Sequence, residues 1–148
     1  MTAIIDFDAR YVLGVEVMDD THRAFIDLVN RLAASDKTSF AGLFGELVAH
    51  TREHFAAEEQ LMEQCRFPAI GEHRSKHHRV LGELERFADQ VEGGRTRLAR
   101  AYVAGQIPRW LALHAATMDS ALAAQLRRSA AVDMPALAAR PQPGPPSS

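Results

Sequence analysis

The sequence predicts an all-α protein, an up-down-up-down antiparallel four-helix bundle with an extended arm at its amino terminus. Three observations predict it. Four segments carry apolar residues at spacings of three and four; short polar, glycine or proline breaks separate them; and 148 residues suffice for one core but not comfortably for two. Segments joined by short loops pack most simply as antiparallel neighbours.

The first segment, Thr2 to Met18, mixes aromatic and β-branched residues with Gly14 and has no helical period, which reads as an arm lying on the bundle. Asp19 or Asp20 offers an N-cap for a first helix over roughly 20–34, whose stripe is His22, Phe25, Ile26, Val29 and Leu32 or Ala33. After the polar stretch 35–38, Ser39 can cap a second helix with the stripe Phe40, Leu43, Leu47, Thr51, His54, Glu58, Leu61 and Cys65, ending before Pro68. A third helix over roughly 69–91 places His73, His77, Val80 or Leu81, Leu84, Phe87 or Ala88 and Val91 on one face, and Gly93-Gly94 ends it. The fourth, roughly 95–128, carries Leu98, Tyr102, Leu111, His114, Met118, Ala121 or Leu122 and Gln125 or Leu126. Pro108 removes the hydrogen bond to the Ala104 carbonyl, so a kink is expected there, with Gly105 placed to absorb the strain. The bundle is expected to occupy residues 1–131 and a disordered, proline-rich tail residues 132–148.

Composition removes several classes of function. A formal net charge of -2 with scattered Lys and Arg gives no field that gathers phosphates, so no nucleic-acid partner is expected. One cysteine, Cys65, forms no intramolecular disulfide and suits a reducing compartment; it reads as a small buried apolar residue. The amino terminus has two aspartates and no basic residue before an apolar run, unlike a secretory signal, and no stretch of about 18 uncharged apolar residues exists to span a membrane. A soluble, cytoplasmic protein is the expectation.

The informative polar residues are those on the inward stripes. His22, His54, Glu58, His73, His77 and His114 all fall where the core should be. Burying a carboxylate or an unpartnered imidazole costs several kcal/mol unless it is hydrogen-bonded, paired or bound to metal. His54 with Glu58, and His73 with His77, are i,i+4 pairs, each on one helical face a turn apart. A single histidine on an apolar face is more often a hydrogen-bonded core residue than a ligand. Two such pairs on adjacent helices, with inward histidines on both remaining helices, point instead to metal, and bundles commonly build binuclear sites this way. His78 reads as a surface residue, and His50, one turn before His54, as exposed near the bundle end, with a supporting role behind His54 as the other reading.

The blocks Met18-Asp19-Asp20-Thr21-His22, His54-Phe55-Ala56-Ala57-Glu58-Glu59, His73 with His77, and Trp110-Leu111-Ala112-Leu113-His114 with Asp119 resemble the hemerythrin family in its single-domain bacterial form, over about residues 5–125. The resemblance implies that His73, His77 and His114 bind one iron, that His22 and His54 bind a second, and that Glu58 and Asp119 bridge the two. Asp119 comes from the resemblance alone: five residues after His114 is out of phase in a regular helix, where Met118 lies in phase. A π turn between them would bring both to one side. The implied cofactor is a pair of iron ions, Fe2+ or Fe3+, with an oxo or hydroxo bridge. Two octahedral irons offer twelve positions; five imidazoles, two bridging carboxylates and one bridging oxygen leave one open for a small ligand. The resemblance makes that ligand O2, bound reversibly by a carrier, storage or delivery protein that is not an enzyme.

Di-iron bundles that activate oxygen are rich in carboxylates, whereas five neutral imidazoles stabilise high-valent iron less. A dry wall would slow loss of the bound ligand and leakage of protons, and Phe55, Leu111, Trp110, Leu28 and Met62 are candidates for it, Leu28 and Met62 reading better as plain core. Ala115 stands where the family usually has a larger aliphatic residue, Thr21 where glutamine is common and Phe7 where tryptophan is common; Ala115 could loosen the pocket. The alternatives are a sensor of O2, NO or iron that signals to a separate protein partner, and a di-iron enzyme, for which the sequence offers no additional acid or base.

Overall fold

The computed structural model describes residues 5, 7 and 11–139, with side chains described as far as residue 129. Helix α1 runs Glu16–Ala34, α2 Lys37–Gln64 and α3 Ile70–Glu92; the fourth helix, α4, spans residues 97–139 in five consecutive segments. Helix α1 packs on α2, α2 on α3, α3 on α4, and α4 back on α1, which closes the antiparallel bundle. The described residues contain no strand, and none of their helices is long and apolar enough to cross a membrane.

Two helix starts differ from expectation. Helix α1 begins at Glu16, and its N-cap, Val15, has no side-chain cap, so neither Asp19 nor Asp20 caps it. The Asp19 carboxylate lies inside the first turn and reaches backward, accepting from the Leu13 N–H at 2.7 Å and the Gly14 N–H at 3.2 Å. An acid there complements the positive end of the helix while fixing the chain that enters it. Helix α2 is capped by Asp36 rather than Ser39: Asp36 Oδ1 accepts from the Thr38 and Ser39 N–H groups at 3.1 and 2.9 Å and from both hydroxyls at 2.8 Å. The end of α3 is as expected. Gly94, at φ +83, takes the left-handed conformation, its N–H reaching the Val91 carbonyl and the Arg95 N–H the Gln90 carbonyl.

The arm is pinned where it is described. Ile5 is buried and exchanges two hydrogen bonds with the Asn30 side chain, at 2.9 and 2.7 Å, and Tyr11 is buried in the same apolar cluster. Residues 2–4, 6 and 8–10 of the expected arm lie outside the described residues. At the other end the helical backbone reaches Ala139, past the boundary expected at residue 131, and residues 140–148 of the expected tail lie outside the described residues.

Helix α4 departs twice from regular winding. The segment Tyr102–Gln106 is π-helical, with the Ile107 N–H reaching back to the Tyr102 carbonyl, and Pro108 opens the regular turn that follows. The missing proline N–H is thus accommodated by a wider turn that includes Gly105. The second π segment, Ala115–Asp119, has the Ser120 N–H bonded to the Ala115 carbonyl. Each wide turn resets the phase of the stripe, so the buried positions read Ala99, Tyr102, Val103, Ile107, Leu111, His114, Ala115, Asp119, Leu122 and Ala123. Leu98, expected on the inner face, is 58% exposed.

Two apolar clusters fill the bundle. The larger joins Phe25, Leu28, Val29, Phe40, Phe44, Leu47, Phe55, Leu84, Ile107, Leu111 and Ala115 with the arm; the smaller joins Met18, Met62, Phe67, Leu122 and Ala123. Burial of each large apolar side chain contributes about 1.5–3 kcal/mol. On α1 the buried His22 lies between Met18 of the smaller cluster and Phe25 of the larger, and on α2 Glu58 lies between Phe55 of the larger and Met62 of the smaller.

Candidate metal centre

Each helix delivers its polar residues to this one level. Helix α1 supplies His22, α2 His54 and Glu58 a turn apart, α3 His73 and His77 a turn apart, and α4 His114 and Asp119; all are buried. Asp119 reaches the level because the π turn over Ala115–Asp119 adds a residue to the helical repeat, which leaves Asp119 wholly buried and Met118 half-buried.

The two carboxylates face the imidazoles with both oxygens. Glu58 Oε1 lies 3.2 Å from His77 Nε2 and 3.3 Å from His73 Nε2, while its Oε2 lies 2.7 Å from His54 Nε2 and 3.7 Å from His22 Nε2. Asp119 Oδ1 lies 3.0 Å from His73 Nε2 and 3.1 Å from His114 Nε2, and its Oδ2 lies 2.9 Å from His22 Nε2. Five Nε2 atoms therefore converge on two carboxylates, His73, His77 and His114 on one side and His22 and His54 on the other.

Hydrogen bonding leaves much of this cluster unsatisfied. His73 Nε2, His77 Nε2, His114 Nε2, Glu58 Oε1 and Asp119 Oδ1 are buried with no hydrogen-bond partner, although each lies 3.0–3.3 Å from an atom of opposite character. The atoms are close but do not aim at one another. Two ligand atoms about 2.1 Å from one ion and at right angles around it sit about 3 Å apart, so the spacing and the misalignment both fit donors directed at shared ions. Glu58, His73, His77, His114 and Asp119 form one group able to hold a metal ion and His22, His54 and Glu58 a second, with ligand atoms of each group within 4.8 Å of one another.

Electrostatics in the metal-free chain follow from the same crowding. Burial works against charge on His22 and His73, but the close carboxylates of Asp119 and Glu58 outweigh it, raising the two imidazoles to about 10 and about 9. Burial likewise opposes the charged forms of Glu58 and Asp119; the surrounding histidines overcome it and hold both carboxyls well below the usual range. For His77 burial dominates and pushes the imidazole down. Metal cations would take over the role of these protons.

The rings are walled by aromatics. Phe55 stacks on His77 with centroids 3.8 Å apart and planes parallel, Trp110 stacks on His114 at 4.6 Å, and Phe67 presents its edge to His73 at 6.2 Å. Of the expected wall residues, Phe55, Leu111, Leu28 and Ala115 share the larger apolar cluster, with Trp110 packed against it; Met62 belongs to the smaller cluster on the opposite side.

Outside the cluster, His78 is exposed, His50 is half-buried with its Nε2 3.3 Å from the Thr21 carbonyl, and Cys65 is only half-buried. The sequence alone assigns no role to Glu59, whose Oε2 lies 3.3 Å from His77 Nδ1. A half-exposed acid directly after a buried one reads as surface; the available signal was Arg74, an oppositely charged residue next to His73 on the facing helix.

The sequence is similar to those of known proteins. The family model for the hemerythrin HHE cation-binding domain matches residues 13–126. The bacteriohemerythrin of Ralstonia nicotianae is 32% identical over 116 residues, covering 78% of this chain and 84% of the relative. That of Aquifex aeolicus is 30% identical over 120 residues, covering 77% and 91%, and that of Stenotrophomonas maltophilia 26% over 119 residues, covering 78% and 76%.

Proposed function

Because the chain belongs to the hemerythrin family, we propose that it binds O2 reversibly at a pair of irons held inside the bundle. The observation that carries this is the two-sided presentation of Glu58 and Asp119, each with one oxygen toward the His73 side and one toward His22 or His54. In this reading His73, His77 and His114 would hold one iron and His22 and His54 the other, with Glu58 and Asp119 offering an oxygen to each and an oxo or hydroxo group as a further shared ligand. The first iron would be offered three imidazoles and the second two, so the second would keep more room for a small ligand. The ligand would then bind on the side of His22 and His54. When bound, the irons supply the reversible electron transfer that O2 uptake requires.

The chain's own residues supply the rest. The π turn sets Asp119 opposite Glu58, so that both carboxylates span the site. Phe25 lies 6.3 Å from the His54 ring and Phe55 5.4 Å from it, and with Leu28 and Leu111 they keep water from that side. Trp110 covers His114.

The test is anaerobic reconstitution with ferrous iron, followed by visible spectroscopy through cycles of air and deoxygenation. Two irons per chain and a colour that comes and goes with O2 are expected. One zinc and no colour, or steady consumption of O2 in place of reversible uptake, would overturn the reading.

A further inference from the structure

An imidazole that binds metal through Nε2 has a second nitrogen, and what that nitrogen meets sets the ring's tautomer, its orientation and its electron donation. In this centre the second nitrogens are treated unequally. Those of His22, His54 and His73 are buried with no hydrogen-bond partner among the described residues. His77 Nδ1 instead faces a carboxylate, Glu59 Oε2, at 3.3 Å, while its Nε2 lies 3.2 Å from Glu58 Oε1 without a hydrogen bond. Glu59 is held from behind: Arg74 Nε donates to its other oxygen at 3.0 Å, and Arg74 Nη2 donates onward to Glu63 at 2.5 Å. Arg74 and His77 are three apart on α3, so both reach the same face of α2.

Resting on the di-iron reading above, we infer that Glu59 is a positioning residue for His77 that tunes the three-histidine half of the centre. Its carboxylate accepts the Nδ1 proton of His77 and fixes the tautomer that leaves Nε2 free to coordinate. Phe55, stacked flat on the same ring, removes the remaining freedom of rotation. The negative charge behind the ring also strengthens the donor and favours the more oxidised metal. Arg74 sets the strength of that effect by sharing Glu59's charge, so the chain His77–Glu59–Arg74 links the centre to the bundle surface, with the exposed Glu63 at its solvated end.

The experiment compares Glu59→Gln, Arg74→Gln and Glu63→Gln with the unaltered chain. Glu59→Gln keeps the shape and an acceptor oxygen but removes the charge; ferrous iron affinity, measured by chelator competition, is expected to fall about 10–100-fold, and the midpoint potential of the loaded protein to rise. Arg74→Gln unmasks Glu59's charge and is expected to move the potential downward, a reversal of sign that a merely structural role would not produce. Glu63→Gln, one link further out and exposed, is expected to leave both quantities unchanged. In the metal-free chain, nitrogen NMR of His77 is expected to show the Nδ1–H tautomer and Glu59→Gln to weaken that preference, with circular dichroism confirming the fold. If the unaltered chain takes up two irons while Glu59→Gln leaves affinity, potential and tautomer unchanged, this inference fails and the di-iron reading stands; if the unaltered chain takes up no iron, both fail.

Discussion

Asp119 and Glu58 are the residues on which the proposed centre turns, because among the described residues they alone present oxygens to both groups of histidines. Asp119→Asn keeps the volume and one oxygen but not the charge, and iron analysis of the reconstituted variant is expected to fall from two per chain to one or none. Phe55→Ala removes the ring stacked on His77 and leaves a cavity beside it. It is expected to destabilise the protein by about 3–5 kcal/mol in denaturant titration and, by admitting water, to shorten the lifetime of the oxygenated spectrum. At this scale the histidines and Glu58 were legible, because a polar residue on an apolar stripe has no cheap explanation. Asp119 was not legible from periodicity, since the stripe that places His114 inward puts Met118 in phase. Glu59 was hidden by its half-exposed position, which resembles any solvated acid.

The element that decides the site is the π turn Ala115–Asp119. Deleting the exposed Ala116 is expected to restore regular winding and rotate Asp119 by about 100°, with two-iron binding lost while the far-ultraviolet dichroism stays helical. A second prediction concerns the start of α2. The Thr38 hydroxyl, with the Ser39 N–H and hydroxyl, holds the Asp36 carboxyl at about 2, below its ordinary 3.8. A lowered value means that the cap stabilises α2 above the ordinary carboxylate range and loses that contribution as pH falls through about 2. The melting-temperature gap between the unaltered chain and Asp36→Ala is expected to be full near neutral pH and to close as pH approaches 2. Helix ends were legible where the backbone demands a particular residue, as at Gly94. They were less so where several polar residues compete: Asp36 and Ser39 lie in one turn and either could cap, and Asp19 spends its carboxylate on the incoming arm rather than on a cap.

Across the whole molecule the order of four helices was legible from the spacing of apolar residues and the short breaks between them. What the sequence could not show was that the apolar core divides into two clusters with the polar level between them. That division makes stability depend on the centre: without metal, the bundle holds buried imidazole and carboxylate atoms that lack hydrogen-bond partners, each costing about 1–3 kcal/mol. Iron that binds only the folded chain is expected to raise the melting temperature, and chelation to lower it. Leu84→Ala, in the larger cluster, is expected to cost about 2–5 kcal/mol whether or not iron is present, which separates packing from metal linkage. The most direct test of the central claim is an anomalous-difference map at the iron absorption edge from crystals of the reconstituted protein. The account predicts two peaks inside the bundle, one among His73, His77 and His114 and one beside His22 and His54, with Glu58 and Asp119 between them; a single peak, or iron bound anywhere else, would contradict it.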